Sequence, residues 1–129
     1  MNNDQTAFAP MLYIQKGVKD VSFYQDAFGA IELQRWSNDD GTVHVAELSI
    51  NGAVFHIHEV TQTYFAEPIT NNATTVSVGL FVPDVHAFMK RAVEAGAIEI
   101  SPTTDYEYGY RQGELKDPFG HHWIIEARI

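Results

Sequence analysis

The sequence predicts an α+β fold in which two tandem βαβββ units share one structural domain. Three observations carry that expectation. Gly29-Ala30-Ile31-Glu32 recurs as Gly96-Ala97-Ile98-Glu99, 67 residues further on. An apolar run and then a segment of helical period precede each copy, in the same order. Strand-like segments follow each copy and turn on Asn51-Gly52 in the first half and on Asp117-Pro118-Phe119-Gly120 in the second.

The first half opens with Met11-Leu12-Tyr13-Ile14. Val18, Val21, Tyr24 and Phe28 then recur near helical spacing, and Gly29 stops the helix because glycine enters the left-handed region without steric cost. Ile31 to Trp36 reads as a strand running to the turn Asn38-Asp39-Asp40-Gly41. Val43 to Ile50 and Ala53 to Val60 form a hairpin, since both central positions of a two-residue turn need positive φ, which Asn and Gly tolerate. Thr61 to Thr75 has no period and contains Pro68, Asn71 and Asn72, so it reads as a linker. Its Tyr64 and Phe65 serve either as a lid or as rings packed on the core.

In the second half Val78-Gly79-Leu80-Phe81-Val82 is the apolar run. Asp84 suits an N-cap, its carboxylate accepting from free amides of the first turn. Val85, Phe88, Ala92 and Val93 mark one helical face, ended by Gly96. Ile98 to Ser101, a polar loop, Tyr110 to Lys116 and His121 to Ala127 complete the unit. The units therefore span residues 8–60 and 76–129, with 61–75 between them.

Composition narrows the function classes. The 129 residues bury roughly two-thirds of the surface they expose when unfolded, enough for a core without disulfides. The absence of cysteine removes thiolate chemistry and fits a reducing cytoplasm. With 17 acidic against 8 basic residues, the net charge of −9 argues against nucleic acid, which clustered Lys and Arg bind. It is either a solubilising surface or an attraction for a cationic ligand. No secretory signal and no membrane span are expected from the apolar runs present. Serines 22, 37, 49, 77 and 101 sit in no nucleophile motif, and the nine glycines make no phosphate-cradling loop.

Phe23-Tyr24-Gln25-Asp26-Ala27-Phe28-Gly29-Ala30 and Asp117-Pro118-Phe119-Gly120-His121-His122-Trp123 resemble motifs of the vicinal oxygen chelate superfamily. That group includes glyoxalase I, extradiol dioxygenases, fosfomycin-resistance enzymes and bleomycin-binding proteins. The second segment, with Tyr108-Gly109-Tyr110-Arg111 ahead of it, is similar to the branch related to the phosphonate-operon B protein. The resemblance covers residues 10 to 127 and implies a glyoxalase/bleomycin-resistance fold, with a curved mixed sheet around a groove and a homodimer. It is specific for fold and weak for chemistry, because one fold hosts many reactions.

Metalloenzymes of this superfamily hold a divalent ion with side chains from the first and last strands of both units. The resemblance puts those positions near Pro10, His56, Ser77 and Ile124, of which only His56 is a good donor. His58 shares a strand face with His56, and His44 or Glu126 are further candidates, so a site, if present, draws on His56, His58, His44 and Glu126. The other reading of these histidines is a hydrogen-bonded cavity wall. Glu47, Glu59 and Glu126 are candidates for paired-carboxylate chemistry. His86 is expected on the solvent side of its helix, and His121 in a structural turn role.

Trp36, Tyr106, Tyr108 and Tyr110 are expected to line an aromatic groove, with His56 and Arg111 as polar anchors. Phe55 and Trp123 go to the core, because they alternate with His56 and Ile124. The leading expectation is a small-molecule binder without a catalytic metal, with Trp36, His56, Tyr108, Tyr110 and Arg111 as contacts. The alternative is a divalent-metal-dependent lyase, isomerase or dioxygenase. A third reading is an interaction module with a vestigial pocket.

Overall fold

The computed structural model describes residues 6–61 and 74–129. Most of the expected linker, including Tyr64 and Phe65, lies outside the described residues. Unit 1 comprises β1 (Met11–Ile14), α1 (Phe23–Phe28), β2 (Ile31–Ser37), β3 (Val43–Ile50) and β4 (Ala53–Glu59). Unit 2 comprises β5 (Ser77–Phe81), α2 (Val85–Glu94), β6 (Ile98–Tyr106), β7 (Tyr110–Lys116) and β8 (His122–Arg128). Each unit forms its own four-stranded mixed sheet, ordered β1-β4-β3-β2 and β5-β8-β7-β6. The first strand of each unit pairs parallel with the last.

Strand pairing relates the units residue by residue. Met11 lies opposite His56 and Gly79 opposite Ile124, so the sheets superpose at an offset of 68 (11 to 79). The helix-ending glycines keep 67 (29 to 96). The partner of Ser77 is therefore Ala9 and not the expected Pro10.

Two elements differ from expectation. The helix α1 begins at Phe23, and Val18 and Val21 precede it. Val18 accepts a backbone hydrogen bond from Val43 at 2.8 Å, and Val21 is buried, so their spacing recorded burial in a turn. The strand β6 continues through the expected polar loop to Tyr106, held by β7 across two register shifts. Asp84 caps α2 as expected, accepting from the Ala87 amide at 3.1 Å.

One apolar cluster runs through both units. Alternation turns Leu12, Ile14, Leu48, Phe55 and Ile57 of unit 1, and Leu115, Trp123 and Ile125 of unit 2, to the buried side, where the Trp123 ring packs on Tyr24 and Phe28 of α1. Each such side chain contributes roughly 1.5–3 kcal/mol on full burial. The rings of Phe55 and Trp123 meet edge to face at 5.5 Å, joining the two helix-bearing sides.

Polar contacts reinforce the joint. Asp117, only 1% exposed, accepts from the Tyr24 hydroxyl at 2.6 Å and the Trp123 indole at 3.0 Å. Its other oxygen accepts from the amides of Phe119 and His121 at 2.9 and 3.0 Å. A buried carboxylate is tolerable only when satisfied in this way. His121 donates from Nε2 to the Tyr13 carbonyl at 2.8 Å, a structural contact. Arg91 of α2 donates to the Asp26 carbonyl at 2.7 Å and the Gln25 carbonyl at 3.3 Å, near the C-terminus of α1. No helix among the described residues is long and apolar enough to cross a membrane.

Candidate functional site

With both helix-bearing faces turned to the shared core, each sheet keeps one open face. Parity along the strands decides what lies there. On unit 1 a cross-sheet row runs Tyr13, His58, Val45, Trp36, followed by a second row of Met11, His56, Glu47 and Gln34. Trp36 is 45% exposed, and His56 Nε2 lies 3.9 Å from Glu47 Oε2. Ser49, opposite Val54, continues the face.

On unit 2 the corresponding row is Phe81, Glu126, Gln112 and Thr104. The Tyr108 hydroxyl donates to Gln112 Oε1 at 2.6 Å, and Gln112 Nε2 donates to Glu126 Oε1 at 2.8 Å. Gly79 makes room for Glu126, because a Cβ there would lie 2.7 Å from its carboxylate oxygen. His122 Nδ1 faces Glu114 Oε1 at 3.3 Å.

An aromatic ladder borders this face. The rings of Tyr106 and Tyr108 stack at 5.2 Å and 11°, and Tyr110 follows at 5.8 Å. Phe81 lies 6.0 Å from Tyr110. The Arg128 guanidinium sits 4.5 Å over the Phe81 ring, a cation–π contact. A hollow of about 70 Å³ lies among Ser101, Tyr106, Gln112, Glu114 and Ile124. A wider one of about 530 Å³, between α2 and β6, lies on the helix-bearing side away from these groups.

Of the expected contact residues, Trp36 and His56 share the open face of unit 1, while Tyr108 and Tyr110 belong to the ladder of unit 2. Arg111 does not join them. It follows Tyr110 in the strand and so points to the other side, where it donates to both oxygens of Asp105, at 2.6 and 3.0 Å. Hydrogen bonding from Arg111 holds the Asp105 carboxyl below its ordinary range. The helices α1 and α2 pack against each other, and the open face of each sheet lies on its helix-free side. Residues missed from sequence include Gln112, Glu114 and Arg128, which the two-residue period from Tyr110 and from Ile124 would have found.

The donor set does not fit the metal of the superfamily's enzymes. Register puts Ala9, His56, Ser77 and Ile124 at the related positions, and alanine and isoleucine bring no donor atom. Glu126 lies on the second sheet, engaged by Gln112, apart from the histidines. Among the described residues no three His, Asp or Glu side chains group to hold an ion.

Comparison with known proteins agrees with this architecture. Residues 11–125 match the Glyoxalase/Bleomycin resistance protein/Dioxygenase superfamily. The uncharacterized protein Mb0911c of Mycobacterium bovis is 36% identical over 95% of this chain and 84% of its own length. The gene product At5g48480 of Arabidopsis thaliana, in its X-ray structure, is 30% identical with a TM-score of 0.73, covering 95% of this chain and 99% of that one. TioX from Micromonospora sp. ML1, at 24% identity and a TM-score of 0.71, covers 95% of this chain and all (100%) of its own, and shares the fold. Tandem βαβββ units, their helix-to-helix junction and these matches lead to one assignment: the chain belongs to the Glyoxalase/Bleomycin resistance protein/Dioxygenase superfamily.

Proposed function

We propose that this protein binds a planar small molecule on its open faces, without a catalytic metal at the superfamily's ligand positions. The observation that carries the reading is the ladder of exposed Tyr106 and Tyr108 and half-buried Tyr110 beside the Tyr108–Gln112–Glu126 hydrogen-bond chain. Aromatic faces with a few oriented polar groups are what a flat ligand requires. Glu47, Glu114 and Glu126 on the open faces, and a net charge of −9, favour a positively charged one.

The hollow of about 70 Å³ is far below the roughly 300–1,000 Å³ of a small-molecule pocket. Trp36, Phe81 and Tyr108 also remain exposed on the single chain. Both points support closure of the site by a second copy, as a homodimer in which the open face of one chain covers that of the other.

Trp36 reports on binding, since Trp123 is buried. Titration with planar aromatic cations such as acridinium dyes is expected to give saturable fluorescence quenching. Tyr108→Ala is expected to weaken the complex about 2- to 13-fold, the worth of one aromatic contact. Absence of saturable binding by charged and neutral planar compounds alike would sink the proposal.

A further inference from the structure

Two imidazoles meet near the turn of residues 38–42, with His58 one row along β4 from the superfamily's ligand position at His56. The ring centres of His44 and His58 are 5.3 Å apart, with an interplanar angle of 63°. His44 Nδ1 lies 3.0 Å from Glu59 Oε1. His58 Nδ1 lies 2.6 Å from the Glu59 carbonyl oxygen. A carboxylate and a carbonyl can only accept, so each Nδ1 carries the proton and each neutral ring keeps its Nε2 lone pair.

Glu59 is itself held in place. It is buried, and its second oxygen accepts from Asn38 Nδ2 at 3.0 Å. Asn38 also donates to Thr42 Oγ1 at 2.9 Å, and that hydroxyl donates to Asp40 at 2.6 Å. A fixed carboxylate behind the inner nitrogen of a 44% exposed imidazole is the arrangement that orients metal-binding histidines. Two imidazoles bound to one tetrahedral ion at about 2.0–2.1 Å place their ring centres about 5 Å apart, which this pair matches.

We propose that His44 and His58 form a two-imidazole site for a divalent transition-metal ion of the cobalt-to-zinc series. Their Nε2 atoms are the protein donors, and water or a ligand atom fills the other positions. Neutral imidazole selects these ions over calcium or magnesium, which take oxygen. The site uses neither His56 nor the tyrosine ladder, and it does not depend on the small-molecule reading.

The test titrates Zn²⁺ and Co²⁺ into chelator-treated protein, read by calorimetry and by cobalt visible absorption, with no organic ligand. One ion per chain is expected. His44→Ala and His58→Ala should each weaken binding by at least about tenfold, and Glu59→Gln by about 10- to 100-fold. His56→Ala should leave binding unchanged. Imidazole ¹⁵N spectra of the unsubstituted protein need no variant: Zn²⁺ should move Nε2 of His44 and His58 and spare His56. No binding at millimolar ion, a shift confined to other histidines, or undiminished binding in the His44→Ala/His58→Ala double variant overturns the proposal.

Discussion

The two sheets share a backbone plan and differ by face. Toward the core the units agree: Leu48 answers to Leu115, Phe55 to Trp123, and Ile57 to Ile125. On the open side they part company. Tyr13, His58, Val45 and Trp36 of unit 1 stand where unit 2 has Phe81, Glu126, Gln112 and Thr104. Apolar packing has held one side of the repeat to shape and volume. Chemistry on the other side was free to diverge, giving imidazoles on one sheet and a carboxylate–amide–phenol chain on the other.

The strongest way to break this comparison is to attack the joint. Asp117→Ala leaves the Tyr24 hydroxyl and Trp123 indole buried without their acceptor, at about 1–3 kcal/mol each, so a loss of at least about 2 kcal/mol is expected. Urea unfolding followed by both fluorescence and circular dichroism should still show one transition. Two separated transitions would mean that the sheets are independent.

A smaller effect sharpens the agreement of the core sides. Gly113 is the counterpart of Ala46, and a Cβ there would lie 2.9 Å from Met89. Gly113→Ala should cost about 1–3 kcal/mol by overpacking, and Met89→Ala in the same chain should relieve that clash, as a double-mutant cycle would show.

Alkali probes the joint more gently. Burial first, then the charge of Asp117 and the hydrogen bond to it, raise the Tyr24 phenol well above its ordinary value of 10.0. Unfolded chains therefore release this proton at lower pH than folded ones. The associated stability is complete below about pH 10 and falls above it, by up to about 1.4 kcal/mol per pH unit, until the folded phenol titrates. Urea midpoints from about pH 9 to about pH 11 should show this slope, and Tyr24→Phe should remove its share. The smallest change belongs to the open side, where Trp36→Ala should alter unfolding stability by less than about 0.5 kcal/mol.

Much of this was legible in the residues themselves. The bounds of β1, β3 and β7 and the cap at Asp84 follow from apolar runs, turn chemistry and one short carboxylate. The start of α1 did not, because Val18 and Val21 recur at helical spacing while packing from a turn. Arg111 was misplaced by proximity to Tyr110, although adjacent strand residues point apart. The pairing of His44 with Glu59 joins positions 15 residues apart through a hairpin register that no local pattern announces. Trp36, His56, Tyr108 and Tyr110 emerged from residue type and alternation, but their division between separate faces depends on how the units dock.

Arg91 adds a consequence for synthesis. It donates across 65 residues to the end of a helix only six residues long. At about 5–20 residues per second, the ribosome delivers Arg91 on the order of 3–13 seconds after that helix is made. For that interval the first half of the nascent chain carries an unfinished helix and an uncovered apolar face. The duplicated halves are thus no longer two proteins in series, since the later one completes the earlier.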